Sequence, residues 1–134
     1  MPAEHGGVVV PKPEPRKRAK ARSARQERSI VTVVRAHCVA RDGDCRIGSA
    51  TTYLGACDGE SEWCHLGDMR RFRTRGMEPG ARHTTQGTCC LCTKHHRMLD
   101  ANEIRVEFVT PHGADGTLRF VRAGGSFLSV PRTT

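Results

Sequence analysis

From Ile30 onward the apolar positions Ile30, Val33, Val34 and Cys38 recur at helical spacing, predicting a helix from Ile30 to about Ala40 with Ser29 placed to cap it. The β-branched cluster in that stretch also permits a strand. Asp42-Gly43-Asp44 then reads as a turn. Thr51 to Leu54 has the makings of a short strand, and Ser61 to Leu66 of a longer one anchored by Trp63. Thr88 to Leu91 predicts another short strand, and a helix follows over about Thr93 to Asn102. From Ile104 to Val109 apolar and polar residues alternate. Leu118, Phe120 and Val121 supply its partner strand, and Gly113-Ala114-Asp115-Gly116 the turn of a C-terminal β-hairpin. The elements predict an α+β fold over residues 29–122.

The flanks lack such periodicity. Gly6, Gly7, Pro11, Pro13 and Pro15 break up the start of the chain. The run Arg16-Lys17-Arg18-Ala19-Lys20-Ala21-Arg22-Ser23-Ala24-Arg25 has no large apolar side chain to bury. Residues 1–28 are therefore expected to form a disordered basic tail, either a non-specific DNA-binding arm or simply a solvated one. Residues 123–134 are expected to be loosely ordered.

Composition sharpens this picture in two respects. The chain has 134 residues with only 4% aromatics, a small core that calls for a disulfide or a metal as a staple. Seven cysteines, an odd number, with no apolar leader, favour metal-held thiols in a reducing cytoplasm over a secreted disulfide scaffold. No stretch approaches membrane-spanning length. The net charge of +8, mostly from arginine, points to a polyanionic partner, most simply nucleic acid. A long loop between Gly67 and Gly87 carries Arg70, Arg71, Arg73, Arg75 and Arg82, placed to follow backbone phosphates.

Candidate chemistry falls into two groups. Cys92-x-x-His95 has the spacing with which one turn grips a metal, and Cys45 and Cys57 are each tied to a turn. Together they predict a structural zinc site, although Cys38, Cys64, Cys89 and Cys90 leave the ligand set open. The second group is His65 at the end of a strand, with His96 and Asp100 four apart on one helix face. Converging, they would place a general base beside a divalent cation, as phosphodiester hydrolysis requires.

Arg41-Asp42-Gly43-Asp44-Cys45-Arg46, Glu62-Trp63-Cys64-His65-Leu66 and Leu91-Cys92-Thr93-Lys94-His95-His96 together resemble the short HNH endonucleases of bacteria and their phages. The resemblance covers roughly residues 35–122. It implies a ββα-metal finger around one catalytic divalent cation (Mg, Mn, Ni or Zn). It implies His65 as general base, His96 as the second family histidine and a cation ligand, and Asp100 as a later ligand. Cys64 stands where the family has Asp or His as a ligand, and His95 replaces one of four zinc cysteines. The family's middle asparagine has no clear counterpart; its place falls near Gly87, with His83, Thr84 and Thr85 close by. The expected activity is metal-dependent DNA cleavage by a monomer or weak dimer in a bacterial cytoplasm, beside phage or host DNA-processing proteins. The alternative is a zinc-binding, DNA-binding module without catalysis.

Overall fold

A computed structural model describes residues 16–48, 54–67 and 80–131. Three layers stack around one two-stranded hairpin. Helix α1 (Arg16–Asp42) lies on one side of strands β1 (Ser61–His65) and β2 (Thr88–Cys92). Helix α2 (Thr93–Asp100) and the sheet of β3 (Ile104–Phe108), β4 (Leu118–Arg122) and β5 (Phe127–Val130) lie on the other. Both sheets are antiparallel. Among the described residues, no helix is long and apolar enough to cross a membrane.

The hairpin is the middle layer because its faces alternate. All five residues of β2 are buried, as befits a strand covered on both faces. Trp63 and Cys90 pack with Val34 and Cys38 of α1. Cys64, Cys89 and Leu91 join Leu99, Ile104, Leu118 and Phe120 in the main core. The antiparallel register pairs Trp63 with Cys90 and Cys64 with Cys89, so successive β1 residues look to opposite layers.

Two predicted boundaries move. Helix α1 reaches back to Arg16, so the basic run of the expected tail is helical. The reason is local: no proline or glycine interrupts residues 16–42, and Ala, Arg and Lys are strong helix formers. Ser29 is accordingly no cap; its hydroxyl donates to the Arg25 carbonyl one turn back. At the other end, Phe127–Val130 is no loose tail but the edge strand paired with β4, with Phe120 opposite Leu128. The expected strand at Thr51–Leu54 falls mostly outside the described residues, as do residues 1–15.

Helix α2 ends in a Schellman motif. Asn102 takes φ +60°, its N–H reaches Leu99 O, and Glu103 N–H reaches Met98 O. The predicted hairpin of β3 and β4 forms, and its turn folds back on the loop before β2. Ala114 N–H donates to Gln86 O at 2.8 Å. Gly113 permits that approach: a Cβ there would lie 2.5 Å from the same oxygen.

A buried ionic hub joins these layers. The Asp42 carboxylate is fully buried at the end of α1 and accepts from Arg41 (2.7 and 2.8 Å), Arg46 (2.8 Å) and the Cys90 N–H (3.0 Å). Arg46 continues to the Ala114 and Gly116 carbonyls, and Arg41 to those of Thr85 and Thr88 and to Asp115. Burial opposes ionisation of Asp115, yet hydrogen bonds from Thr85, His37 and Arg41 hold it down to about 2. Breaking such a pair strands a buried charge, at a cost of about 3–5 kcal/mol. Asp42→Ala should therefore lower the stability measured by urea unfolding by roughly that amount; a loss below ~1 kcal/mol would show that the hub is dispensable. Asp115, whose carboxyl is depressed, contributes stability that is present above about pH 4 and disappears as pH falls toward 2. Asp115→Asn should flatten the acid limb of the stability curve in that window.

Candidate metal centre and the flanking histidines

Four donors from three segments meet at the junction of β2 and α2. Cys92 ends β2, His95 sits in the first turn of α2, Cys45 follows the turn after α1, and Cys57 lies in the segment leading to β1. One ligand atom from each lies within 4.8 Å of all the others. The Nδ1 atom of His95 is 3.2 Å from Cys92 Sγ, 3.4 Å from Cys45 Sγ and 3.9 Å from Cys57 Sγ. A tetrahedral zinc with ordinary bond lengths sets sulfur and nitrogen about 3.6 Å apart, the middle of that range. The other ring nitrogen, Nε2, is 3.0 Å from the Gly55 carbonyl. That carbonyl can only accept, so Nε2 donates and Nδ1 turns a lone pair toward the sulfurs. Gly55 takes φ +83°, a backbone that suits glycine.

The thiols require a cation to ionise together. Burial first, then the neighbouring Cys45 and Cys92, pushes Cys57 up to about 12. Burial likewise raises Cys45. Burial also opposes ionisation of Cys92, but the His95 and Asp58 N–H groups and its neighbour thiols bring it below the ordinary thiol value. Cys92 is at once strand end, α2 N-cap and donor: its sulfur accepts from the His95 N–H at 3.5 Å. The four residues could hold one metal ion, and a buried set of three thiolates and one imidazole is the chemistry that structural zinc selects.

The second predicted group does not converge. His65 shares the Trp63 side of the hairpin, with ring centroids 4.7 Å apart. Its Nε2 lies 2.9 Å from His83 Nδ1, and His83 Nε2 lies 2.7 Å from Glu27 Oε1 on α1. Burial first, then the charge of Arg82, holds His65 down to about 4, so it is neutral at pH 7. Arg35 of α1 stands 5.9 Å over the Trp63 ring.

His96 and Asp100 do share a helix flank, as their spacing predicts, with Nε2 3.6 Å from Asp100 Oδ2. However, His96 Nδ1 is 2.7 Å from Glu62 Oε1, on the hairpin face away from α1. The hydrogen bond from His96 lowers Glu62. Cys64, implied as a cation ligand, points into the core, donating to the Cys89 carbonyl at 3.3 Å. Strand alternation thus sends residue 65 toward α1 and residues 62 and 64 toward α2. Among the described residues, the only group of three or more metal-type donors is the Cys45, Cys57, Cys92 and His95 set. Among the described residues, Cys64, His96 and Asp100 are not brought together into a second donor group.

Of the loop arginines, Arg82 is described and acts on His65; Arg70, Arg71, Arg73 and Arg75 lie outside the described residues. Sequence reasoning missed Glu27, His83 and Glu62 as partners of the histidines. Glu27 did carry a signal, as the first acid in an otherwise basic stretch.

Comparison with known proteins finds no matching family model, no matching curated protein and no matching solved structure.

Structural zinc contributes about 10–16 kcal/mol of apparent binding free energy in small domains, comparable to a whole domain's stability of about 5–15 kcal/mol. Native mass spectrometry should find one zinc per chain, and a strong chelator should collapse the thermal transition. Cys92→Ser should do the same without a chelator. A chelator-treated chain that melts where the untreated one does would rule out a metal staple.

Proposed function

We propose that the chain is a zinc-stapled nucleic-acid-binding domain that hydrolyses phosphodiester bonds in DNA, an HNH-type endonuclease with an altered centre. The observation that carries this reading is the state of His65. It ends β1 in a β–β–α order, it is kept neutral by its surroundings, and Arg82 is close enough to influence it. A neutral imidazole beside a guanidinium can take a proton from an attacking water while the arginine attracts the phosphate. Positive charge leads toward this point. Helix α1 carries Arg16, Lys17, Arg18, Lys20, Arg25 and Arg28, all exposed, and Arg35 beside Trp63. A phosphate backbone lying along that helix would be held by counterion release and would bring a phosphodiester to His65.

The structural metal in this scheme is zinc on Cys45, Cys57, Cys92 and His95, which would hold β2 against α2. It takes no part in hydrolysis. His96 and Asp100, the cation ligands implied by the HNH resemblance, sit away from His65, and no hydrolytic step is assigned to a cation there. That separation favours a second reading, a zinc-stapled DNA-binding module without catalysis.

One experiment separates the two. Purified protein is incubated with supercoiled plasmid and Mg²⁺, Mn²⁺, Ni²⁺ or EDTA, alongside His65→Ala. Catalysis predicts nicking by the parent and a loss on the order of 10²–10⁴-fold in the variant, with DNA affinity and zinc content unchanged. Equal nicking by both would remove His65 from the reaction. A protein that shifts DNA yet cuts under none of these ions is the binding module.

A further inference from the structure

The Glu27–His83–His65 chain has a direction. Glu27 is on α1, His83 on the segment leading to β2 and His65 at the end of β1, so three separate stretches meet in one line of hydrogen bonds. His83 is buried, at 6% exposure, and both its ring nitrogens are engaged. An ionised carboxylate only accepts, so His83 donates to Glu27 through Nε2–H. With one ring proton, given to Glu27, His83 offers the Nδ1 lone pair to His65, which then donates through its own Nε2–H. The lone pair of His65 is thereby left on Nδ1. Among the described residues that atom has no hydrogen-bond partner.

We infer that Glu27 and His83 are positioning residues that fix the tautomer of His65 and make Nδ1 its proton-accepting atom. The inference rests on the reading of His65 as the general base but concerns how that base is prepared. The Glu27 carboxylate pulls on the far nitrogen of His83, which raises the electron density of the near one. That in turn holds the His65 ring with Nδ1 outward. In the reaction, Nδ1 would take one proton from the attacking water as the new O–P bond forms. The leaving oxygen would depart with the bonding pair and take up a proton from solvent. His83 keeps its Nε2 proton throughout and Glu27 stays ionised. His83 does here what a side-chain amide could do, since an Asn carbonyl at that position would also accept from Nε2–H. Helix α1 therefore contributes both the phosphate-binding charges and the far end of the relay.

The test reads the tautomer directly, without any substrate. In long-range ¹H–¹⁵N spectra of ¹⁵N-histidine-labelled, zinc-loaded full-length chain at pH 7, His65 should show a protonated Nε2 and a bare Nδ1. Glu27→Ala and His83→Ala should each shift His65 to a mixture of tautomers. Glu27→Gln and His83→Asn retain an acceptor and should keep the parent pattern. Glu27 is partly exposed, so its variants are not expected to threaten folding; zinc content and circular dichroism check this. In the plasmid assay Glu27→Ala should lower kcat about tenfold to a hundredfold at unchanged KM, with Glu27→Gln close to parent. A parent His65 protonated on Nδ1, or one unmoved by His83→Ala, overturns the relay whatever the plasmid shows. Failure of the parent to nick overturns the nuclease reading while the tautomer result still decides the relay.

Discussion

Four donors from three separate segments of the chain meet at one point. The segments that supply them, the turn after α1, the stretch before β1 and the β2–α2 junction, also bury Ile47, Leu54, Leu91 and Leu99 in the main core. In a chain this poor in aromatics a metal would reinforce that small core. Three thiols packed this closely repel as thiolates, and burial opposes their ionisation. A divalent cation reverses both effects at once. The geometry is already fitted to one: the Gly55 carbonyl turns the His95 ring so that Nδ1 faces the sulfurs, and Cys92 draws on the N-terminal N–H groups of α2. Rotating His95 or shifting Gly55 would leave the cysteines as an unstable cluster rather than a site.

The Asp42 hub does by charge what the metal-type cluster does by coordination, at the opposite end of the same hairpin. Arg46 lies next to Cys45, and its N–H donates to the Cys90 carbonyl. One short stretch, Arg41 to Arg46, therefore feeds both devices. Asp42 receives two guanidinium groups and a backbone N–H, enough to satisfy a carboxylate with no exposure to water. The hub also sets the angle at which α1 leaves the body, because Arg41 reaches the carbonyls on either side of the β2 start. The place of Glu27 beside His83 follows from that angle.

Much of this was legible in the chain, for identifiable reasons. The Cys92-x-x-His95 spacing and the turns at Cys45 and Cys57 express short-range geometry, and short-range geometry survives folding. The alternation of Ile104 to Val109 and the helix after Cys92 were readable on the same grounds. The helical reach of α1 was hidden because its basic half buries little; propensity, not patterning, makes it a helix. Strand β5 was hidden because Phe127 to Val130 is half exposed and short. The catalytic grouping failed for a different reason. Spacing placed His96 and Asp100 on one helix face correctly, but whether residue 65 joins them depends on which way one strand residue points. A period of two makes that choice all or none. Trp63 settles it by packing on Val34 and Cys38, and His65, two residues on, must follow.

That same choice gives α1 its meaning. Had β1 been turned over, His65 would face α2 and Glu62 would face the basic helix, placing a carboxylate among its arginines and lysines. In the observed arrangement the acid that closes the His65–His83 line on the α1 side is Glu27, engaged with His83. The remaining charges there, Arg28, Arg35 and Arg82, are all positive. The α1 face thus offers a polyanion continuous attraction ending at a neutral imidazole. The α2 flank is mixed in charge, with Glu62 and Asp100 around His96 and Arg97 close enough to act on Glu62. Under the proposed nucleic-acid reading, electrostatics and strand register select the same face of the hairpin.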